Sequence, residues 1–373
     1  MSTSQPTKVF LTGATGYLGG AILQSLMQDP RMAVTVLVRN KDKADELKRL
    51  GVQTVLGSLD DTTLMESEGA KTDAILQNAA YDHLDGVNAL LRGAKARFQR
   101  TSKQLIFVHT SEPGGWAKLD AMVQYTSEQR ISDVDPDLDN LTNMSLPQIA
   151  VHKALIAADR EGESTWPEEM HPIDEDPGYI RSYIVYPSVV YGALRGPLVV
   201  TGIAHPYSIA IPMAIKLSIQ RGQGAQVGLS VNRWSGVHID DMTKLYKVIF
   251  EHALAEDAPH GSEGHYIAED GEFSFADAAK RYTSVLHAHG KSARAEPEAF
   301  TTAGIESNPM ISFLGIDVRI KGDRARQLGW SPMLHIGEFF ESVQEDTEAI
   351  LEGKNPVFKN PIRQSDPPHA SVL

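Results

Sequence analysis

The chain has no cysteine. Disulfides, a thiolate nucleophile and cysteine-ligated zinc are therefore excluded, and a cytoplasmic location is the simplest expectation. No apolar run approaches the roughly 18 residues that cross a bilayer, so no membrane partner is expected. The start, MSTSQPTKVF, lacks the basic segment and apolar stretch of a secretory leader. Positive charge is scarce: 35 Lys and Arg face 48 Asp and Glu, a formal net charge of -13, with no basic cluster. Nucleic acid is not an expected partner. The histidines are scattered without HExxH-like spacing, and no metal site is expected.

What remains is an ordinary globular composition, 42% hydrophobic and 22% charged, over 373 residues. That length accommodates one large α/β domain or two modest ones. Lys8 to Gly13, KVFLTG, is a short strand ending in glycine, and Leu18, Ala21, Ile22, Ser25 and Leu26 then recur at helical spacing. AVTVLVRN, KADELKRLG and VQTVLG continue as strand, helix and strand; DAILQNAA, QLIFVHTS and RSYIVYPSVVYG are further strands. Alternation of this kind predicts a doubly wound, parallel, right-handed sheet. The stretches Pro113 to Pro147 and Glu163 to Pro177 read as loop insertions, because the alternation resumes after each.

The strongest motif is TGATGYLGG, Thr12 to Gly20. Gly13, Gly16 and Gly19 place glycines at a tight turn and a helix start, where backbone approaches a pyrophosphate and free N–H groups favour anions. The preceding strand and following helix supply the context that a dinucleotide site needs. Binders of the non-phosphorylated cofactor commonly carry an acid at the end of the second strand. This chain carries Arg39, with Lys43 nearby, and a guanidinium suits a 2′-phosphate. NADP(H) is the expected cofactor.

In order, the glycine motif, VLVRN, GVQTVLGSLDD, QNAA, FVHTS, YPSVVYG and WSGVHIDDMTKLY span roughly Lys8 to Tyr246. This series resembles the extended, atypical short-chain dehydrogenases/reductases, the group of dihydroflavonol-reductase-like and NmrA-like proteins. The resemblance implies an NAD(P)-binding Rossmann fold over 1–192, with 234–256 contributing to it. It also implies a smaller C-terminal substrate-binding lobe from 193–233 and 257–351, leaving a proline-rich tail at 352–373. Residue by residue, it implies that Thr12, Gly13, Thr15, Gly16, Tyr17, Leu18 and Gly19 line the phosphates. Leu59 and Asp60 would flank the adenine, Ala79 and Ala80 would lie under the ribose and pyrophosphate, and Tyr186, Pro187, Ser188 and Val190 would approach the nicotinamide. Ser58 departs from the aspartate often found there.

The family's chemistry uses a tyrosine and a lysine spaced YxxxK on one helix, plus a hydroxyl from the preceding strand. Side chains at i and i+4 share a helix face, and the ammonium lowers the phenol pKa from about 10 so that it exchanges a proton near neutrality. FVHTS offers Ser111, or Thr110, as the hydroxyl, and Lys153 in LPQIAVHKALIAADREG matches the lysine that binds ribose. Where the tyrosine belongs stands Ile149, and no YxxxK occurs anywhere in the chain. His152, at i+3 from Ile149, is one replacement; Tyr125, Tyr183, Tyr191 and Tyr207 are others. A substrate needing no strong acid, or a reaction without hydride transfer, is also open.

For the substrate, His205 to Gly222 offers an apolar wall or simply closes the lobe's core. Trp234 stands where relatives acting on nucleotide sugars carry a phosphate-binding arginine, which points to a hydrophobic small molecule. Three functions follow: an NADP-dependent reductase with an atypical site, a non-redox isomerase, dehydratase or lyase, and an NmrA-like NADP(H) sensor. A monomer or homodimer is expected.

Overall fold

The computed structural model describes residues 5–117, 125–138, 142–160, 178–307 and 309–355. The Glu163 to Pro177 insertion and most of the proline-rich tail lie outside them. Its frame is a seven-stranded sheet: β1 (Thr7–Thr12), β2 (Met32–Val38), β3 (Gln53–Leu56), β4 (Ala74–Gln77), β5 (Leu105–Thr110), β7 (Ile180–Pro187) and β11 (His265–Ala268). Their spatial order is β3-β2-β1-β4-β5-β7-β11, with every pairing parallel. Strands such as β1 and β5 are apolar on both faces because helices cover both sides. Val9, Leu11, Val34, Val36 and Val108 belong to one core; Phe10, Leu37, Ile75, Leu105 and Phe107 belong to the other.

The crossovers are α1 (Tyr17–Met27), α2 (Lys41–Arg49), α3 (Thr62–Gly69), α4 (Leu84–Thr101) and α5 (Gln148–Asp159). Local chemistry sets their starts. Asn40 accepts from Lys43 N at 3.0 Å, and Asp61 accepts from Leu64 N at 3.0 Å, each filling an orphan donor of a first turn. The connection reverses direction between β1 and β4, and at such a switch point the strand ends open a crevice.

After β7 the chain builds the lobe. A small sheet joins β8 (Val189–Tyr191), β10 (Arg233–His238) and β12 (Glu272–Ser274). Helices α7 (Ala210–Arg221), α9 (Phe275–Ala288) and α10 (Phe339–Leu351) pack together beside it, while α8 (Ile239–Ala255) returns to cover the sheet against α1. A turn of helix, α6 (Pro197–Val200), lies near α1, and β9 (Ala225–Gln226) pairs with β13 (Glu298–Ala299). The lobe boundary expected at 257 falls one strand early, since His265–Ala268 is the edge strand of the main sheet.

The insertion after β5 is stitched down. Its β6 (Ile131–Ser132) pairs parallel with β14 (Ile320–Lys321) of the lobe. The carboxylate of Asp133 accepts from Ile267 N at 2.8 Å, Asp323 N at 2.8 Å and Arg324 N at 2.9 Å. One buried side chain thus joins the insertion, the edge strand and the lobe.

Candidate functional site: a glycine-loop cleft and a buried serine–histidine pair

At the end of β1, buried Thr12 accepts from Asn78 N at 3.1 Å and Ala79 N at 3.3 Å, tying the two sides of the switch point. Gly13 follows at φ +76°, and a Cβ there would lie 2.8 Å from the Asn78 carbonyl oxygen. A Cβ on Gly19 would overlap the Gly13 carbonyl, so the helix start and the loop meet at backbone distance. Gly16 stands at the N-cap of α1, where no side chain caps the helix and its first turn carries no acid. Those N–H groups and the positive end of the helix are left to an outside anion.

A cleft of about 1030 Å³ opens over this loop. Gly13, Thr15, Gly16, Asn78 and Ala79 form its floor, and Arg39 and Lys43 enter from the end of β2 and from α2. Across from them stand Arg195, His205 and Tyr207 of the lobe and Lys354 at the start of the tail; among the described residues Glu345 is the one carboxylate in the lining. Arg39 is exposed to the cleft and has no partner among the described residues. Lys43 Nζ donates to Ile203 O at 2.7 Å, and burial lowers its pKa. Tyr17 turns away, its phenol donating to Tyr191 O at 3.1 Å and to Gly192 O; burial raises its pKa well above the ordinary value. Its side chain is a strut between loop and lobe.

Leu59 is buried, while Asp60 is exposed and holds His83 Nε2 at 3.0 Å. Ala80 is exposed at φ +49°, with Gln77 Nε2 donating to its carbonyl and that of Ala79. Tyr186, Pro187 and Ser188 close β7 near Ser111, whose N–H donates to Val185 O at 2.8 Å. Ser188 is buried and Val190 half-buried.

At the end of β5, Ser111 Oγ and His152 Nε2 share a hydrogen bond of 2.8 Å, with the two residues 5% and 6% exposed. Desolvation, aided by the nearby His109 and His265, lowers the His152 pKa to about 2. Two residues before Ser111 on the same strand, His109 points to the same face, its ring centre 5.8 Å from that of His152. His109 Nδ1 bonds Gln77 Oε1 at 2.6 Å, and burial lowers its pKa to about 3. Tyr186 packs edge-on to His152, lies 4.5 Å from Trp116, and bonds His265 Nδ1 through its hydroxyl at 2.9 Å. Glu112, raised by burial, accepts from Gly114 N at 2.7 Å and from the buried Gln148 amide.

The structure therefore brings Ser111 and His152 together. It does not bring Lys153 to them: Lys153 is exposed, has no partner among the described residues and does not line the cleft. Thr110 faces the opposite side, bonded to Asn78 Oδ1 and the Tyr246 hydroxyl. Tyr183 is fully buried, pushed up to about 12 by desolvation, and Tyr191 is tied to Leu334 O and His335 O at 3.0 Å. Trp234 is a buried lobe-core residue whose indole donates to Ile316 O at 2.7 Å. His238 caps α8 and stands against Gly192 as a junction staple. Sequence reading missed His109, Gln77, Arg195 and Lys354. The period of two along β5 places His109 under Ser111, a usable signal; nothing local marks Arg195.

Residues 13–124 match the family model described as NAD(P)H-binding. Over 342 residues, 87% of this chain and 93% of the relative, the chain is 29% identical to the oxidase ucsJ of Acremonium sp. A shorter match, 26% over 144 residues, is to 4-hydroxy-2-methyl-3-oxo-4-farnesyl-3,4-dihydroquinoline-1-oxide ketoreductase of Stigmatella aurantiaca, covering 38% of this chain and 40% of that one. Among solved structures, UDP-glucose 4-epimerase of Thermotoga maritima aligns with a TM-score of 0.59 at 13% identity, covering 93% of this chain and 99% of the epimerase. UDP-glucuronic acid 4-epimerase of Bacillus cereus, in complex with UDP-glucuronic acid and NAD, aligns at 0.57 and 14%, covering 92% and 99%. At these identities the structural likeness is one of fold. The chain carries an NAD(P)-binding domain and has the fold of the extended short-chain dehydrogenases/reductases.

Proposed function

We propose that the chain is an NADP(H)-dependent oxidoreductase of a hydrophobic, cyclic alcohol or ketone, with Ser111 and His152 handling the proton. The observation that carries this reading is the 2.8 Å Ser111–His152 hydrogen bond at the end of β5, on the same strand edge as the glycine loop. The cofactor, when bound, supplies or accepts the hydride. The uncapped α1 N-terminus fits its pyrophosphate, and Arg39 and Lys43 fit a 2′-phosphate, a group carrying about -1.5 to -2 charges.

The proton path follows from protonation states. Burial keeps the His152 imidazole neutral, and in the tautomer protonated at Nδ1 its Nε2 accepts from the Ser111 hydroxyl. A substrate hydroxyl bound at Ser111 Oγ passes its proton to that oxygen as Ser111 passes its own to His152 Nε2. The carbon gives up its hydride in the same step, leaving a carbonyl, and ketone reduction retraces the path. The neutral imidazole is the form that can take a proton from an alcohol, and burial makes it a weak base for that step. Proton uptake from an alcohol accords with a relative named an oxidase, while the relative named a ketoreductase accords with the reverse. The Trp116–Tyr186 pair beside His152 supports an aromatic or alicyclic substrate.

A panel of hydrophobic cyclic alcohols and ketones, followed by cofactor oxidation and reduction, tests this. Turnover that falls about 10²–10⁴-fold in both Ser111→Ala and His152→Ala supports it. Turnover untouched by either substitution, or a chain that binds NADP but turns over no panel member, counts against it.

A further inference from the structure

The cleft has more cationic groups than the Rossmann side alone provides. Among its described lining residues, Arg39 and Lys43 come from that side, Arg195 from the lobe and Lys354 from the start of the tail, against the single acid Glu345. In a chain of net charge -13 this is a local concentration of positive charge. Two of the four are partly answered: Lys354 pairs with Glu352 at 2.6 Å, and Arg195 lies 4.0 Å from Glu345.

Arg195 sits on a loop whose ends are closed by Leu194 N donating to Pro206 O at 2.8 Å. The loop is fastened to the glycine-loop helix. Gln24 of α1 donates from Nε2 to Arg195 O at 2.9 Å and accepts at Oε1 from Leu198 N at 3.1 Å. Lys43 holds the far side of the loop through Ile203 O. The backbone of Arg195 is thus fixed over the cleft while its side chain, 83% exposed, stays available. A guanidinium presents a planar fork to phosphate oxygens.

We propose that the 194–206 loop is a lobe-side phosphate-binding element, in which Arg195 closes on the adenosine 2′-phosphate that Arg39 and Lys43 meet from the Rossmann side. The loop then discriminates NADP(H) from NAD(H), and the phosphate bridges the two parts of the chain. This rests on the NADP(H) reading above.

Fluorescence titration of the full chain with NADPH and NADH tests it, using wild type, Arg195→Gln and Arg39→Ala. Arg195→Gln raises the NADPH Kd on the order of tenfold and leaves NADH within about twofold, as expected for one charge-assisted contact to a group NADH lacks. Hydrogen exchange gives a second readout: NADP, and not NAD, slows the amides of Leu194, Leu198 and Ala204. If Arg39→Ala discriminates between cofactors while Arg195→Gln weakens both equally or neither, the loop proposal falls and the NADP(H) reading stands. If neither variant discriminates, or wild type binds neither cofactor, both fall.

Discussion

Ser111 and His152 are 41 positions apart in sequence and 2.8 Å apart in space. As a proton carrier, the proposed imidazole differs in kind from a tyrosine. A phenol activated by a neighbouring ammonium gives or takes a proton near neutrality, whereas this imidazole is held neutral by burial.

The first prediction concerns the pair itself. His152→Gln retains bulk and hydrogen bonding but loses the proton acceptor, so turnover falls at least about 10²-fold while cofactor affinity changes little. Steady-state rates beside a cofactor titration separate the two effects. Equal losses in affinity and rate would assign His152 a structural role.

The second concerns acid. His109 and His152 stay neutral in the folded chain down to about 3 and about 2, while unfolded histidines take protons below 6.5. Their contribution to stability is complete above that pH and is lost as pH falls through the window toward 3 and 2. Asp133 and Asp346, raised by burial to about 6 and about 7, act oppositely and lose stability as pH rises toward those values. The difference between wild type and His152→Gln isolates one group. Measured by urea unfolding, wild-type stability relative to the variant declines by up to about 1.4 kcal/mol per pH unit below 6.5. A constant difference from pH 8 to pH 5 would mean that His152 titrates in the fold as it does in the unfolded chain.

How far these features were legible in the sequence depends on their range. β1, the glycine loop and α1 are local: their pattern spans consecutive residues, and the structure reproduces them from Thr7 to Met27. Ser111 and His152 were each legible, but their meeting depends on where α5 lies against β5. Lys153 was read from its match to the family's lysine; the observed helix buries Ile149 and exposes Lys153, so the two do not share an environment. The edge strand at His265 was too short, at four residues, to be separated from the lobe by pattern. Trp234 was read from its place in the alignment, which does not say that its side chain is buried in the lobe core.

The third prediction follows from backbone contact in the loop. Gly19→Ala places a methyl on the Gly13 carbonyl, forcing the helix start away from the loop. Cofactor affinity falls more than about tenfold, and stability by about 1–3 kcal/mol, the usual cost of overpacking. Titration and urea unfolding measure both. Unchanged affinity would place the phosphates elsewhere.

A fourth concerns Lys153. Exposed and without a partner among the described residues, it is expected to be silent: Lys153→Ala changes cofactor affinity by less than about twofold and stability by less than about 0.5 kcal/mol. A tenfold loss of affinity in the same titration would restore it as a ribose-binding lysine.

The most direct test of the account is titration of the purified wild-type chain with NADPH and with NADH. The account predicts one saturable site that binds NADPH at least about tenfold more tightly, from the added charge-assisted contacts to its phosphate. Equal affinity for the two would contradict the cationic cleft as a 2′-phosphate site, and binding of neither would contradict the oxidoreductase itself.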